Sequence, residues 1–262
     1  MSKSFDFHND YHLGDCLYQL HYQIRLWYSA QIASTLWCNP DYHAELAAFI
    51  PPQVGVKVAP LAERPSGSLD CWIGFENYHT SHPNWHDYVR LYVDWFKHLS
   101  RRAGVHCPIQ QPGHMLFDSP AILGRQIPDE HYDVLLINAQ PLSDQWDHNP
   151  AAFLELVTQL RNQRLRILTT HPCGIQNVPA TIDRKWKVAD IARQSMNVDW
   201  IIAIDTGPTG STFNVWNQTT VKGRFVLHKE NFFTHAGSHA IHKWADLMPA
   251  LHKHGVFSRM TN

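Results

Sequence analysis

Short apolar runs alternate with helical periodicities along most of this chain, a pattern that predicts an α/β protein. Phe5 and Phe7 read as a strand leading into the turn Leu13-Gly14-Asp15. Leu17, Leu20, Ile24, Trp27 and Tyr28 then recur at three- and four-residue spacing, which marks one face of a helix. A strand near residues 34–38, a short helix opened by Asp41, and strands over 54–58 and 69–75 follow. A long helix is predicted over 84–103, with Tyr88, Leu91, Tyr92, Trp95, Phe96 and Leu99 as its stripe and Gly104 as its stop. Between residues 108 and 128 the periodicity fades and prolines accumulate, as in a connection between domains, with room for a short strand at 114–117.

The pattern restarts at Tyr132 with an apolar run of strand length, the signature of a strand covered on both faces. A polar loop over 140–149 leads to a helix carrying Phe153, Val157 and Leu160. Strands at 166–170, 200–204 and 224–228 alternate with helices at 186–196 and 208–217. A closing helix carries Ile241, Trp244, Met248 and Leu251. This β-α order predicts a parallel sheet with right-handed crossovers. The chain therefore reads as two Rossmann-like domains, residues 1–118 and 132–262, joined by a linker over 119–131.

Composition narrows the class. The 262 residues include 22 Lys and Arg against 23 Asp and Glu, a net charge of -1. That balance supplies no electrostatic case for a nucleic-acid backbone or an anionic membrane as obligatory partner. Five scattered cysteines form no zinc knuckle or redox pair and suit reduced thiols. With no apolar run of membrane length, the expectation is a cytoplasmic protein without a transmembrane segment. Oligomeric state has no signature in the sequence.

Two segments carry candidate chemistry. In Trp200–Thr212 an apolar strand runs out into Asp205-Thr206-Gly207, and Pro208 stands where a helix would begin. Glycines at 207 and 210 admit a ligand to the backbone, and Thr206, Thr209, Ser211 and Thr212 offer hydroxyls. Free N–H groups at such a turn suit a phosphate or diphosphate. Past the carboxyl end of a parallel strand is also where open α/β sheets bind ligands. The same features serve an ordinary strand-to-helix turn. In His12–Leu17, Asp15 follows a strand and opens a helix; it suits a general base or a first-turn acid favoured by the helix dipole.

Together, Leu13-Gly14-Asp15 and Asp205-Thr206-Gly207-Pro208 resemble the two signature loops of the ADP-heptose–lipopolysaccharide heptosyltransferase family. Leu135–Ala139, Arg166–Pro172 and Val188–Ser195 are also similar to segments of that family's donor domain. The resemblance implies a GT-B fold, in which two Rossmann-like domains with parallel sheets face a central cleft. It implies transfer of a sugar from a nucleotide donor to an acceptor hydroxyl, with Asp15 as catalytic base and Gly14 beside it. It places Asp205, Thr206, Gly207, Pro208 and Thr209, with Gln140, Ser143 and Thr170, at the donor. The acceptor side falls to the first domain, where Trp72 and Tyr78 are candidates for stacking on a carbohydrate or glycolipid. A modified nucleic-acid base fits the charge balance less well. Two departures stand out: Thr209-Gly210-Ser211 follows the proline where many members have a Met-His pair, and residues 138–150 contain no lysine.

An Asp-x-Asp pair, the usual metal anchor of GT-A enzymes, occurs nowhere in the chain. The expectation is thus an inverting transfer without metal or other cofactor, the nucleotide sugar serving as co-substrate. Nineteen histidines sustain a rival. His79, His82 and His86, and His235, His239 and His242, have the spacing of metal ligands on a helix, as in a metal-dependent hydrolase. A non-catalytic nucleotide-binding module is the third reading.

Overall fold

The computed structural model describes residues 4–83, 87–142, 145–229 and 237–257. The chain divides into two compact units. One holds the residues up to Arg125 together with Lys187–Ala189; the other holds Gln126–Trp186 and the residues from Asp190 onward.

The first unit contains a four-stranded parallel sheet in the order β3-β2-β1-β4: β1 Ser4–His8, β2 Ala33–Cys38, β3 Val56–Pro60 and β4 Leu69–Asp70. Its helices are α1 Leu13–Ala30, α2 His43–Ala47, α3 Tyr78–Ser81 and α4 Tyr88–Ala103. The apolar stripes of α1 and α4 meet in the core, where the rings of Tyr22 and Phe96 stack with centroids 4.7 Å apart. The indole N–H of Trp95 donates to Cys71 O, which ties α4 to the end of β4. Asp87 caps α4 by accepting from Arg90 N at 3.0 Å, and Gly104 ends it at φ 63°, a left-handed conformation that favours glycine.

The second unit contains a five-stranded parallel sheet in the order β6-β5-β7-β8-β9. Its strands are β5 Tyr132–Ile137, β6 Ile167–Thr169, β7 Val198–Ile204, β8 Gly223–Leu227 and β9 His239–Ile241. Every residue of β5 is buried. Alternate residues serve opposite faces, as the two-residue period of a strand requires. Val134, Leu136, Ile202 and Ile204 join Phe153, Leu156 and Leu160 of α5 (Pro150–Asn162) and Leu247 and Leu251 of α8 (Trp244–Lys253). Leu135, Ile137, Ile201 and Ala203 pack with Ile191 of α6 (Val188–Gln194).

Several local expectations are corrected. Ile241 lies in β9 and the closing helix begins three residues later, because Lys243 is extended and so terminates any continuation. The expected helix over 208–217 shrinks to α7, Gly207–Ser211. Its Thr-Gly-Ser-Thr run has low helix propensity, and the Ser211 and Thr212 hydroxyls bond back to the carbonyls of Pro208 and Thr209. Only Leu69–Asp70 of the 69–75 segment is strand. Residues 114–117 form no strand, since Pro112–Met115 is a 3₁₀ turn. The proline-rich stretch packs into the first unit as far as Ile122, which is fully buried. No helix among the described residues is long and apolar enough to cross a membrane.

That stretch also meets a buried histidine of α1. His21 Nε2 lies 2.8 Å from His114 O, and Phe117 packs on its ring. Burial holds His21 neutral, with its pKa lowered to about 4, against the pull of Asp118 in the other direction. In the unfolded chain the imidazole regains a pKa of about 6.5, so from that pH down towards 4 protons favour unfolding. Acidification through this window therefore removes up to about 3 kcal/mol at this one site. Urea unfolding at pH 7 and pH 5 should show the loss, and His21→Gln should flatten the difference.

Candidate functional site

The first unit's candidate residues gather where its strands end. Past β1, Asn9 is fully buried, and its side-chain oxygen accepts from Tyr11 N at 2.9 Å. The turn then enters α1, so Gly14 and Asp15 fall in the first helical turn. Asp15 is half-buried, and Oδ1 accepts from Tyr92 Oη at 2.5 Å. Tyr92 is fully buried in α4; burial and the adjoining Asp15 carboxylate push its pKa well up, so it stays a hydroxyl donor. Asp15 is thus a carboxylate whose orientation is set by a second helix, a property invisible in the LGD motif.

Trp72 comes close to this turn. Its indole stacks on Tyr11 with centroids 4.3 Å apart, and Tyr11 in turn contacts His12. Tyr78 goes elsewhere. It lies in α3 against Trp95, His82 and His98, and lines a cavity of about 520 Å³ with Asp94 and Arg101. The two aromatic residues therefore do not share one binding surface. A cavity of about 650 Å³ opens instead at the carboxyl ends of β1, β2 and β3, bounded by Asp10, Asn39 and Arg64.

In the second unit, β5 delivers Asn138 to the sheet's carboxyl edge. Its side-chain oxygen accepts from Thr170 Oγ1 at 3.1 Å and His171 N at 2.9 Å, and its amide donates to His171 O at 3.0 Å. Thr170 is buried, and its hydroxyl also accepts from Asn138 N. Gln140 is exposed two residues further on; Ser143 lies outside the described residues. His148 Nε2 is 3.2 Å from Asn138 O. Burial, then the neighbouring His148, lowers the pKa of His171. Two imidazoles thus occupy the edge where lysine is missing from residues 138–150.

Beside them β7 ends in Asp205, whose N–H donates to Leu227 O at 3.1 Å. Asp205, Thr206, Gly207 and Pro208 are partly exposed, whereas Thr209 is fully buried, its hydroxyl donating to Ile204 O. The hydroxyls of Ser211 and Thr212 also turn inward, which leaves Thr206 as the partly exposed hydroxyl of this loop. Beneath the loop lies a polar network that sequence reading missed. Asn217 donates to Ser195 Oγ, Ser195 O and Thr212 O, and its side-chain oxygen accepts from Arg224 at 2.6 Å. Arg224 is buried, its pKa lowered to about 10 by desolvation, with its guanidinium over the Phe213 ring.

The described histidines of the two triplets do not share a helix face. His82 falls past the end of α3, with extended backbone. His239 lies in a strand and stacks on His254, while His242 packs on His228. His86 and His235 lie outside the described residues. Among the described residues, one group of three or more potential metal ligands converges, and it contains none of these: His131, Asp133 and Asp199.

No protein-family model matches this sequence, and no curated protein matches it. Solved structures do resemble it. The E. coli heptosyltransferase WaaC with ADP-2-deoxy-2-fluoro heptose aligns at a TM-score of 0.63 and 9% identity, covering 95% of this chain and 99% of that one. The iron-containing dodecameric glycosyltransferase TibC of enterotoxigenic E. coli aligns at 0.54 and 12%, over 86% of this chain and 58% of its own. A family 9 glycosyl transferase from Veillonella parvula aligns at 0.51 and 10%, over 99% and 90%. At such identities the likeness establishes the fold. It is an α/β fold with two parallel sheets, shared with these glycosyltransferases.

The buried network makes a stability prediction. Asn217→Leu removes the acceptor of a buried guanidinium and the donor to three oxygens, and should cost about 3 kcal/mol in chemical denaturation. Asn217→Asp, which keeps the acceptor, should cost less.

Proposed function

We propose that this chain is a glycosyltransferase of GT-B architecture that moves a sugar from a nucleoside-diphosphate donor to a hydroxyl of a carbohydrate or glycolipid. The observation that carries this reading is the joint placement of the two loops. Each follows the carboxyl end of a parallel strand, in a chain whose fold matches a heptosyltransferase over nearly its whole length. In this reading the first unit supplies the acceptor side and the second the donor side.

The roles follow from the chemistry available. Asp15, oriented by Tyr92, takes the proton of the acceptor hydroxyl as its oxygen attacks the anomeric carbon. The carbon–oxygen bond to the diphosphate breaks on the opposite side, so the anomeric configuration inverts. Asp205, Thr206, Gly207 and Pro208 present donors and backbone to the departing diphosphate and its sugar, with Gln140 and Ser143 contributing from the neighbouring loop. Thr209 and Thr170, whose hydroxyls are spent inside the protein, hold these loops in shape. Trp72, beside the Asp15 turn, is the aromatic platform for the acceptor; Gly14 lets the acceptor approach the backbone. Charge on the diphosphate is met by hydrogen-bond donors in this scheme, so no metal is needed for transfer.

The donor base is testable by thermal shift against ADP, UDP, GDP, dTDP and CMP, each with and without EDTA. A ligand at a hundred times its Kd should add roughly 2.7 kcal/mol of stability. One nucleotide should shift the protein selectively, with or without EDTA, and Asp205→Ala should abolish the shift. Absence of any nucleotide response would overturn the reading.

Asp15→Asn should leave nucleotide affinity intact while turnover with the matching sugar nucleotide falls by about 10³-fold. Tyr92→Phe should cost about tenfold, because the base remains but loses its anchor. Retained turnover in Asp15→Asn removes this residue from the mechanism. Product anomeric configuration, read by NMR, tests inversion.

A further inference from the structure

At the amino ends of β5 and β7, on the sheet edge opposite Asn138 and Asp205, three side chains converge without a role in the proposed transfer. His131 Nε2 lies 3.9 Å from Asp133 Oδ1 and 3.6 Å from Asp199 Oδ1. The potential ligand atoms of the three residues all lie within 4.8 Å of one another. These separations are too long for hydrogen bonds. They suit ligands that share one ion, since tetrahedral bonds of about 2.1 Å set neighbouring ligand atoms about 3.4 Å apart.

The surroundings orient each ligand. Asp133 has a side chain only 4% exposed, and its Oδ2 accepts from Arg166 N at 2.7 Å, which directs Oδ1 towards the imidazole. Lys222 approaches Asp199 at Oδ2, 3.1 Å away, so here too Oδ1 faces His131. His131 Nδ1 lies 3.4 Å from Asn197 Oδ1, and the Asn197 amide group donates to Asp129 O, which fixes which end of that side chain is oxygen. Nδ1 therefore faces an amide oxygen, and Nε2 is the ring nitrogen turned towards the two carboxylate oxygens. A histidine whose far nitrogen is held by a side-chain oxygen is the usual form of a metal-ligating imidazole.

We infer that His131, Asp133 and Asp199 bind a divalent transition-metal cation, Zn²⁺ being the ion suited to one nitrogen and two carboxylate ligands. His131 is 43% exposed, which leaves a fourth position open to water. The ion would fasten the starts of β5 and β7 together. Six residues of extended chain, about 20 Å, separate Asp199 from Asp205, so this site is structural and stands apart from the donor loop.

The test is calorimetric titration of Zn²⁺ into the full-length, EDTA-treated and dialysed protein. Because imidazoles in general have affinity for zinc, the comparison is between variants. His131→Ala and Asp199→Asn should each remove one equivalent or weaken it by tenfold or more, and each should lose the Zn²⁺-dependent rise in Tm. His239→Ala should do neither. His131 is partly exposed, so its variant should keep the wild-type circular dichroism spectrum. Unchanged stoichiometry and affinity in both variants, or no zinc bound by the wild type, would overturn the assignment. Nucleotide-induced shifts should be the same in all three variants, so failure here is separable from failure of the transferase reading.

Discussion

Parallel pairing of every described strand is the constraint on which the rest of this protein depends. In a parallel ladder all strands run the same way, so every loop that leaves a carboxyl end emerges on one edge. The β1–β2 and β5–β7–β8 registers bring Asp15, Asn138 and Asp205 to such edges although they stand far apart in the chain. The same pairing sends His131, Asp133 and Asp199 to the other edge of the second sheet. The second sheet thus has two chemically distinct rims, and the direction of the chain decides which residues each receives.

Burial of polar groups is the second theme. Asn138, Thr170, Asn217, Arg224 and His21 are all at most 5% exposed. Each is retained by hydrogen bonds, which is the condition for burying a polar group at tolerable cost. The consequence at the second sheet's carboxyl edge is rigidity: the Asp205 loop rests on Thr209, Thr212 and the Asn217–Arg224 pair, and the β6 turn hangs on Asn138. In the first unit Tyr92 plays this part for Asp15. Loops that present backbone to a ligand gain from such support because little ordering remains to be done on binding.

The many histidines have dispersed roles. His21 is a neutral core residue, His148 and His171 stand at the second sheet's carboxyl edge, and His131 faces two carboxylates on the amino edge. Spacing of three or four residues would let two imidazoles of each triplet share a face if the segment were helical. The structure puts His239 in a strand and His82 beyond a helix end, because neither segment continues as helix through its histidines.

The sequence by itself determined the alternation of strands and helices, since two-residue and 3.6-residue periods report which faces are buried whatever the partners. It also determined the two motifs, Leu13-Gly14-Asp15 and Asp205-Thr206-Gly207-Pro208, because each is a local turn between a strand and a helix. Only the tertiary structure decided that β9 exists, for a three-residue strand has too short a period to register and is defined by its pairing with β8. Only it decided that Tyr92 holds Asp15, that Trp72 and Tyr78 part company, and that His131, Asp133 and Asp199 meet. Those are contacts between residues tens of positions apart, and they arise from how helices and strands pack, which no local pattern encodes.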